Sequence, residues 1–294
     1  MKRPVPALLL FFGLAGCSAA DTGRSDSLPA SGEARSADGV TIRYEVHGSG
    51  DTALVLVAGW TNSRGIWGEH PRTLSTRYRV VALDLAGHGD SGAERTEWTM
   101  GAFGEDVVAV VEQLDLEPIV LVGFSMGAAV VVEAAERMPE RVLGVVFVDA
   151  LHDPDQPPPA GTADQMEGIF RAAWGDTAFL RAFAFTPDAP DSLIRYVAAM
   201  SPPLPLEHWF PALRSFLAWQ ATDFTAALER LRVPVAAINT TSEATNTAAL
   251  RRHAPSFTLD TLAGVGHAGI LLQRVEDFDA RLLAIVERFA TASR

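Results

Sequence analysis

Short runs rich in apolar residues recur along this chain at residues 53–57, 79–85, 118–122, 142–148, 233–238 and 257–262. Runs of this length, rich in Val, Ile and Leu, predict strands buried on both faces of a sheet. Residues 40–46 (Val-Thr-Ile-Arg-Tyr-Glu-Val) alternate instead and predict an edge strand that ends at Gly48. Between the runs the apolar positions recur with a helical period. Residues 99–116 predict a helix opened by Thr99 as the capping residue, residues 126–138 a second, and residues 276–289 a closing one. The last carries Phe278, Leu282, Leu283, Ile285, Val286 and Phe289 on one side. Strands alternating with helices in this way predict an α/β fold with a mostly parallel, doubly wound sheet.

The alternation stops over residues 151–221, which are proline-rich at both ends and helical between. This stretch predicts a helical lid inserted over the C-terminal ends of the strands, where ligands of open α/β sheets bind. It leaves 39–150 and 222–294 as the core. The lid holds many aromatic residues, among them Phe170, Trp174, Phe179, Phe183, Trp209 and Trp219. Most are expected to form the lid's own core, and a few to line an acyl or aromatic pocket.

The N-terminus follows a different pattern. Lys2-Arg3 precede a short apolar stretch at residues 7–13, and then comes Leu14-Ala15-Gly16-Cys17. The apolar stretch is too short to span a bilayer and reads as a signal segment over residues 1–17. The four residues at its end resemble the bacterial lipobox, which implies that Cys17 carries lipid and begins the mature chain. Cys17 is the single cysteine in the sequence, which favours that role over a free thiol in an exported protein. The resemblance implies a cell-envelope protein anchored to the membrane. With Ser18 following, it implies the outer membrane, facing the periplasm, in a Gram-negative host. Residues 18–38 are small and polar and predict a flexible tether.

The most informative stretch is residues 118–132. An apolar strand runs into Gly123-Phe124-Ser125-Met126-Gly127 and then into an Ala- and Val-rich helix. A serine between strand and helix on so tight a turn has its side chain lifted clear of the sheet. Side chains at Gly123 or Gly127 would collide with the neighbouring strand or helix. The helix that follows points its free N–H groups and positive end at the serine, where an oxyanion would form.

From residue 39 onward the chain resembles the α/β-hydrolase family. Besides the elbow, the resemblance rests on Leu54-Val55-Leu56-Val57-Ala58-Gly59-Trp60, on Asp84-Leu85-Ala86-Gly87-His88-Gly89-Asp90-Ser91, and on Gly264-Val265-Gly266-His267. It implies Ser125 as nucleophile, His267 as its base, and an oxyanion hole made by the backbone N–H groups of Trp60 and Met126. The family's usual acid position, after the strand near residues 235–238, holds no aspartate here, and Glu243 is the carboxylate of that loop. Some family members carry the acid after the preceding strand, and Asp149 ends the run 142–148. A carboxylate at the end of an apolar strand costs desolvation unless it has a partner, and a histidine N–H would be one. Asp149 is therefore favoured, with Glu243 as the alternative.

The other histidines have plainer readings. His88 is structural, and His47, His70, His208 and His253, near element ends, are expected to be solvated. His152-Asp153-Pro154-Asp155 reads as a loop, so neither metal nor cofactor is expected. The formal net charge of -12 supplies no basic surface for nucleic acid, and a small-molecule substrate is the expected partner.

Three functions fit these residues. The first is a serine hydrolase acting on a carboxylic ester of a small, largely apolar substrate. The second is a cofactor-free perhydrolase resembling the bacterial non-haem haloperoxidases. The third is a ligand-binding sensor with little turnover, kept open by the acid's unusual position.

Overall fold

Each apolar run becomes a strand, but the last, residues 258–262, lies at the sheet edge with only Leu262 buried, so the expected burial on both faces is corrected there. The computed structural model describes residues 29–200 and 208–292. The predicted signal segment, Cys17 and the tether up to residue 28 lie outside these residues. In chain order the first half runs β1 (Ala30–Arg35), β2 (Thr41–His47), β3 (Ala53–Val57), a 3-10 turn (Arg64–Trp67), α1 (His70–Leu74), β4 (Arg79–Leu83), α2 (Met100–Gln113), β5 (Ile119–Phe124), α3 (Met126–Arg137) and β6 (Val142–Val148). The lid follows as α4 (Thr162–Ala173), α5 (Thr177–Ala184), α6 (Asp191–Met200) and α7 (Trp209–Thr222). The chain returns to the core through α8 (Phe224–Arg230), β7 (Val235–Thr240), α9 (Thr247–His253), β8 (Thr258–Leu262), α10 (Gly269–Leu272) and α11 (Val275–Ala292).

The strands form one eight-stranded sheet in the order β1-β2-β4-β3-β5-β6-β7-β8. β2 pairs antiparallel with both β1 and β4, and all the other neighbouring pairs are parallel. Side chains alternate between faces, as a pleated strand requires. Val55 and Val57 pack into the layer holding α2 and α3, and Leu54 and Leu56 into the layer holding α11. On α11 the predicted stripe is realised: Phe278, Leu282, Ile285, Val286 and Phe289 are buried. Burying each such side chain contributes roughly 1.5–3 kcal/mol. Thr99 caps α2 by accepting the Ala102 N–H at 3.1 Å.

The strand order reverses at β3. The chain moves from β3 to β4 on one side and returns to β5 on the other, so the C-terminal ends of β3 and β5 diverge from a shared crevice. Val57 lies opposite Gly123 and Phe124 opposite Val148, so the segments leaving β3, β5 and β6 emerge side by side.

The predicted tether is corrected at its end. Residues 30–35 form β1, which pairs with β2 from Ala30↔Val46 to Arg35↔Thr41 and makes β2 an internal strand rather than an edge. Its sequence carries little apolar surface, so hydropathy gives no strand signal there. Backbone pairing and polar anchors hold it instead. Ser36 Oγ donates to the buried Asp106 carboxylate at 2.6 Å, and Arg95 Nε donates to Asp38 at 2.7 Å.

His70 is also corrected. It is fully buried, with Nδ1 2.6 Å from Asp279 and Nε2 2.8 Å from the Leu271 carbonyl. It ties α1 to α10 and α11, a contact across the sequence that local pattern does not register. His47, His208 and His253 are half-buried.

The lid is fastened at its C-terminal end. Ala212 and Trp219 of α7 belong to the core layer of α2 and α3, and Trp219 Nε1 donates to Glu133 at 2.7 Å. Among the described residues no helix is long and apolar enough to cross a membrane.

Candidate active site

Ser125 stands between β5 and α3 with φ 54° and ψ -122°. A non-glycine residue with positive φ costs on the order of 1–3 kcal/mol and persists only where the surroundings fix it. Here the Ser125 N–H donates to the Val148 carbonyl of β6 at 3.0 Å, and its own carbonyl accepts from Ala128 at 2.9 Å. The elbow glycines are needed for close approach. A Cβ on Gly127 would lie 2.5 Å from the Val57 carbonyl, and one on Gly123 would run into the Gly127 backbone. On the β3 side, a Cβ on Gly59 would sit 2.9 Å from that of Ser125, so the Gly59-Trp60 loop lies directly beside the serine. Among the described residues the Trp60 and Met126 backbone N–H groups have no backbone acceptor. They follow β3 and β5, the neighbouring strands on whose ends the crevice opens.

Asp149 follows β6 and, like the serine, has a positive φ, here 47°. Its N–H donates to the Ile238 carbonyl at 3.0 Å, and its Oδ1 accepts the Thr240 N–H at 2.8 Å. Its Oδ2 lies 2.7 Å from Nδ1 of His267. Burial works to raise its pKa. The hydrogen bond and charge of His267 and the Thr240 N–H more than offset this, and hold the carboxyl below the usual carboxylate range. Glu243 is not brought to the site. Its side chain is 70% exposed, against 6% for Asp149, and it faces His152 at 3.7 Å.

His267 sits on the loop between β8 and α10, with its ring 4.7 Å from that of Phe124. Gly266 is required there because a Cβ would press within 2.6 Å of the Phe185 backbone in the lid. Ser125 and His267 line one cavity of about 170 Å³, walled by lid residues such as Phe170, Trp174, Phe179 and Phe183. Among the described residues no hydrogen bond joins Ser125 to His267; the imidazole bonds to Asp149. In free hydrolases this contact is commonly looser than a full hydrogen bond.

Near the end of β7, Asn239 is fully buried. Its Oδ1 accepts the Ala150 N–H at 3.3 Å and its Nδ2 donates to Thr245 at 2.9 Å. This amide stabilises the turn behind Asp149, a role that no sequence signal announced. His88 is buried, donates Nδ1–H to the Ala86 carbonyl at 2.9 Å, and is pushed by burial down to about 4, so it stays neutral. Among the described residues no group of three or more His, Cys, Asp or Glu is placed to hold a metal.

Residues 52–254 match the alpha/beta hydrolase fold family, and the chain belongs to it. Across 87% of this chain and 99% of the relative, it is 31% identical to a non-heme chloroperoxidase of Streptomyces lividans. It is 30% identical to a bifunctional esterase/perhydrolase of Acinetobacter calcoaceticus, over 67% of this chain and 77% of that one. Other relatives match over less of their length. The chain spans 28% of the Pseudomonas putida acetyltransferase component of the acetoin cleaving system, at 35% identity over 36% of this chain. Among solved structures, a bromoperoxidase from Bacillus anthracis superposes with a TM-score of 0.75 at 24% identity, covering 88% of this chain and all of that one. At that identity the likeness speaks for the fold alone. The fold, an eight-stranded and mostly parallel sheet flanked by helices, is that of an alpha/beta hydrolase.

Proposed function

We propose that this alpha/beta hydrolase cleaves carboxylic esters of small, largely apolar acids through an acyl-enzyme on Ser125. The observation that carries the reading is the Asp149–His267 contact of 2.7 Å on the wall of the cavity that Ser125 lines. In this reading the Ser125 hydroxyl attacks the ester carbonyl while its proton passes to Nε2 of His267. The Asp149 carboxylate holds the Nδ1–H tautomer and stabilises the imidazolium. The carbonyl oxygen takes the negative charge between the Trp60 and Met126 N–H groups. Removing one such donor typically costs about 10²–10³ in turnover. The tetrahedral intermediate collapses and the alcohol leaves with the His267 proton. Water, deprotonated by His267, then releases the acid and restores Ser125.

Perhydrolysis is the second reading. Its support is the likeness to the bifunctional esterase/perhydrolase of Acinetobacter and to the chloroperoxidase of Streptomyces. In it, hydrogen peroxide replaces water in the last step and the acyl group leaves as a peracid.

A panel of p-nitrophenyl esters of graded chain length tests both. The small aromatic cavity leads us to expect turnover that peaks at short acyl chains and falls for long ones. Peracid formed from a short carboxylic acid and hydrogen peroxide would add the second activity. Flat or rising activity with chain length would contradict the substrate class. No turnover across the panel would favour a sensor that only binds.

The lipobox-like Leu14-Ala15-Gly16-Cys17 supports a further proposal, that Cys17 anchors the enzyme to the bacterial envelope. A mature bacterial lipoprotein carries two or three acyl chains, and two suffice for stable anchoring where one does not. Cys17→Ser is expected to block lipidation and to release the protein from the membrane fraction or leave its precursor unprocessed. A variant processed and membrane-bound like the wild type would refute the anchor.

A further inference from the structure

The side chain of Trp60, whose backbone N–H the reading above assigns to the oxyanion hole, is fastened to the lid. Trp60 Nε1–H donates to the backbone carbonyl of Trp209, the first residue of α7, at 2.7 Å. Trp209 Nε1–H donates in turn to the Gly87 carbonyl, in the turn after β4, at 3.1 Å. Gly87 has φ +72°, and a Cβ there would lie 2.7 Å from the Trp98 ring, so only glycine presents that carbonyl without strain. The Trp60 ring also stands edge-on to Phe170 of α4, with centroids 4.8 Å apart. The next residue, Thr61, has φ 64°. A β-branched residue takes that conformation only where its neighbours impose it.

We infer that the lid sets the oxyanion hole: the Gly87–Trp209–Trp60 strut holds the Trp60 backbone N–H in place, so the seating of α7 governs the rate of the chemical step as well as substrate access. The inference rests on the serine-hydrolase reading. Such donors act only when 2.7–3.1 Å from the charged oxygen, so a small drift of the loop forfeits part of their effect. Trp209 is buried and does not line the cavity. It acts through Trp60 and is a positioning residue.

Two variants test the strut. Trp60→Phe keeps an aromatic ring and removes its N–H. Trp209→Phe keeps the carbonyl that Trp60 bonds and removes the link to Gly87. On the wild type's best p-nitrophenyl ester, kcat is expected to fall roughly tenfold to a hundredfold in the first and about tenfold in the second, with KM within about threefold. Inhibition by a trifluoromethyl ketone, which places an oxyanion in the same hole, should weaken in parallel with kcat. A packing role alone would lower Tm and leave kcat and ketone affinity unchanged. If both variants fold and keep kcat within about twofold of an active wild type, the strut is refuted and the serine-hydrolase reading stands. A wild type with no turnover and no fluorophosphonate adduct on Ser125 removes that reading, and the strut with it.

Discussion

Ser125→Ala is expected to lower ester turnover on the order of a millionfold while leaving Tm close to that of the wild type. Losing a triad nucleophile costs that much because the remaining groups have no covalent route to support. The fold should survive because Ser125 is held through its backbone, by the Val148 carbonyl and the Ala128 N–H, and both contacts are available to alanine. His267→Ala should lose a comparable factor, since the serine proton then has no acceptor. Steady-state kinetics on protein free of contaminating esterases checks both. Activity within about tenfold of wild type in Ser125→Ala would exclude this serine as the nucleophile.

Asp149→Asn is expected to cost about ten-thousandfold, following the serine-protease precedent in which an amide at this place favours the wrong imidazole tautomer. Oδ2 of Asp149 faces Nδ1 of His267 at 2.7 Å, so an amide nitrogen turned toward it would donate where the acid accepts. Glu243→Gln is expected to change kcat little, because its carboxylate is exposed and faces His152. Measuring kcat for both variants over pH separates the two candidates. A large loss in Glu243→Gln with Asp149→Asn near wild type would move the acid to the loop after β7. Near-silence of both would mean that neither carboxylate orients His267.

The elbow was legible because its chemistry is local. Gly123, Ser125 and Gly127 lie within one turn, and the clash that a Cβ would cause at 123 or 127 is a property of that turn. The apolar runs likewise announced the central parallel strands, since burial on both faces leaves no alternation to misread. The Asp149–His267 pair was only half legible. Its members are 118 positions apart and meet because β6 and the β8–α10 loop end on the same side of the sheet. Desolvation argued that Asp149 needed a histidine partner and favoured it, but the sequence left Glu243 open as the alternative acid. β1 was missed because pairing and polar anchors, not hydrophobicity, hold it. His70 was missed because its partners Asp279 and Leu271 come from the far end of the chain. The fastening of Trp60 to Trp209 has no sequence signal at all, since its acceptor is a backbone carbonyl.

The central claim is that Ser125 is an activated nucleophile. Treatment with a fluorophosphonate probe, followed by digestion and mass spectrometry, tests it most directly, because the probe labels serines whose proton has a base to accept it. The account predicts a single adduct on the peptide that contains Ser125, absent from Ser125→Ala and strongly slowed in His267→Ala. An unlabelled peptide in a folded wild type, or an adduct on another serine, would contradict it.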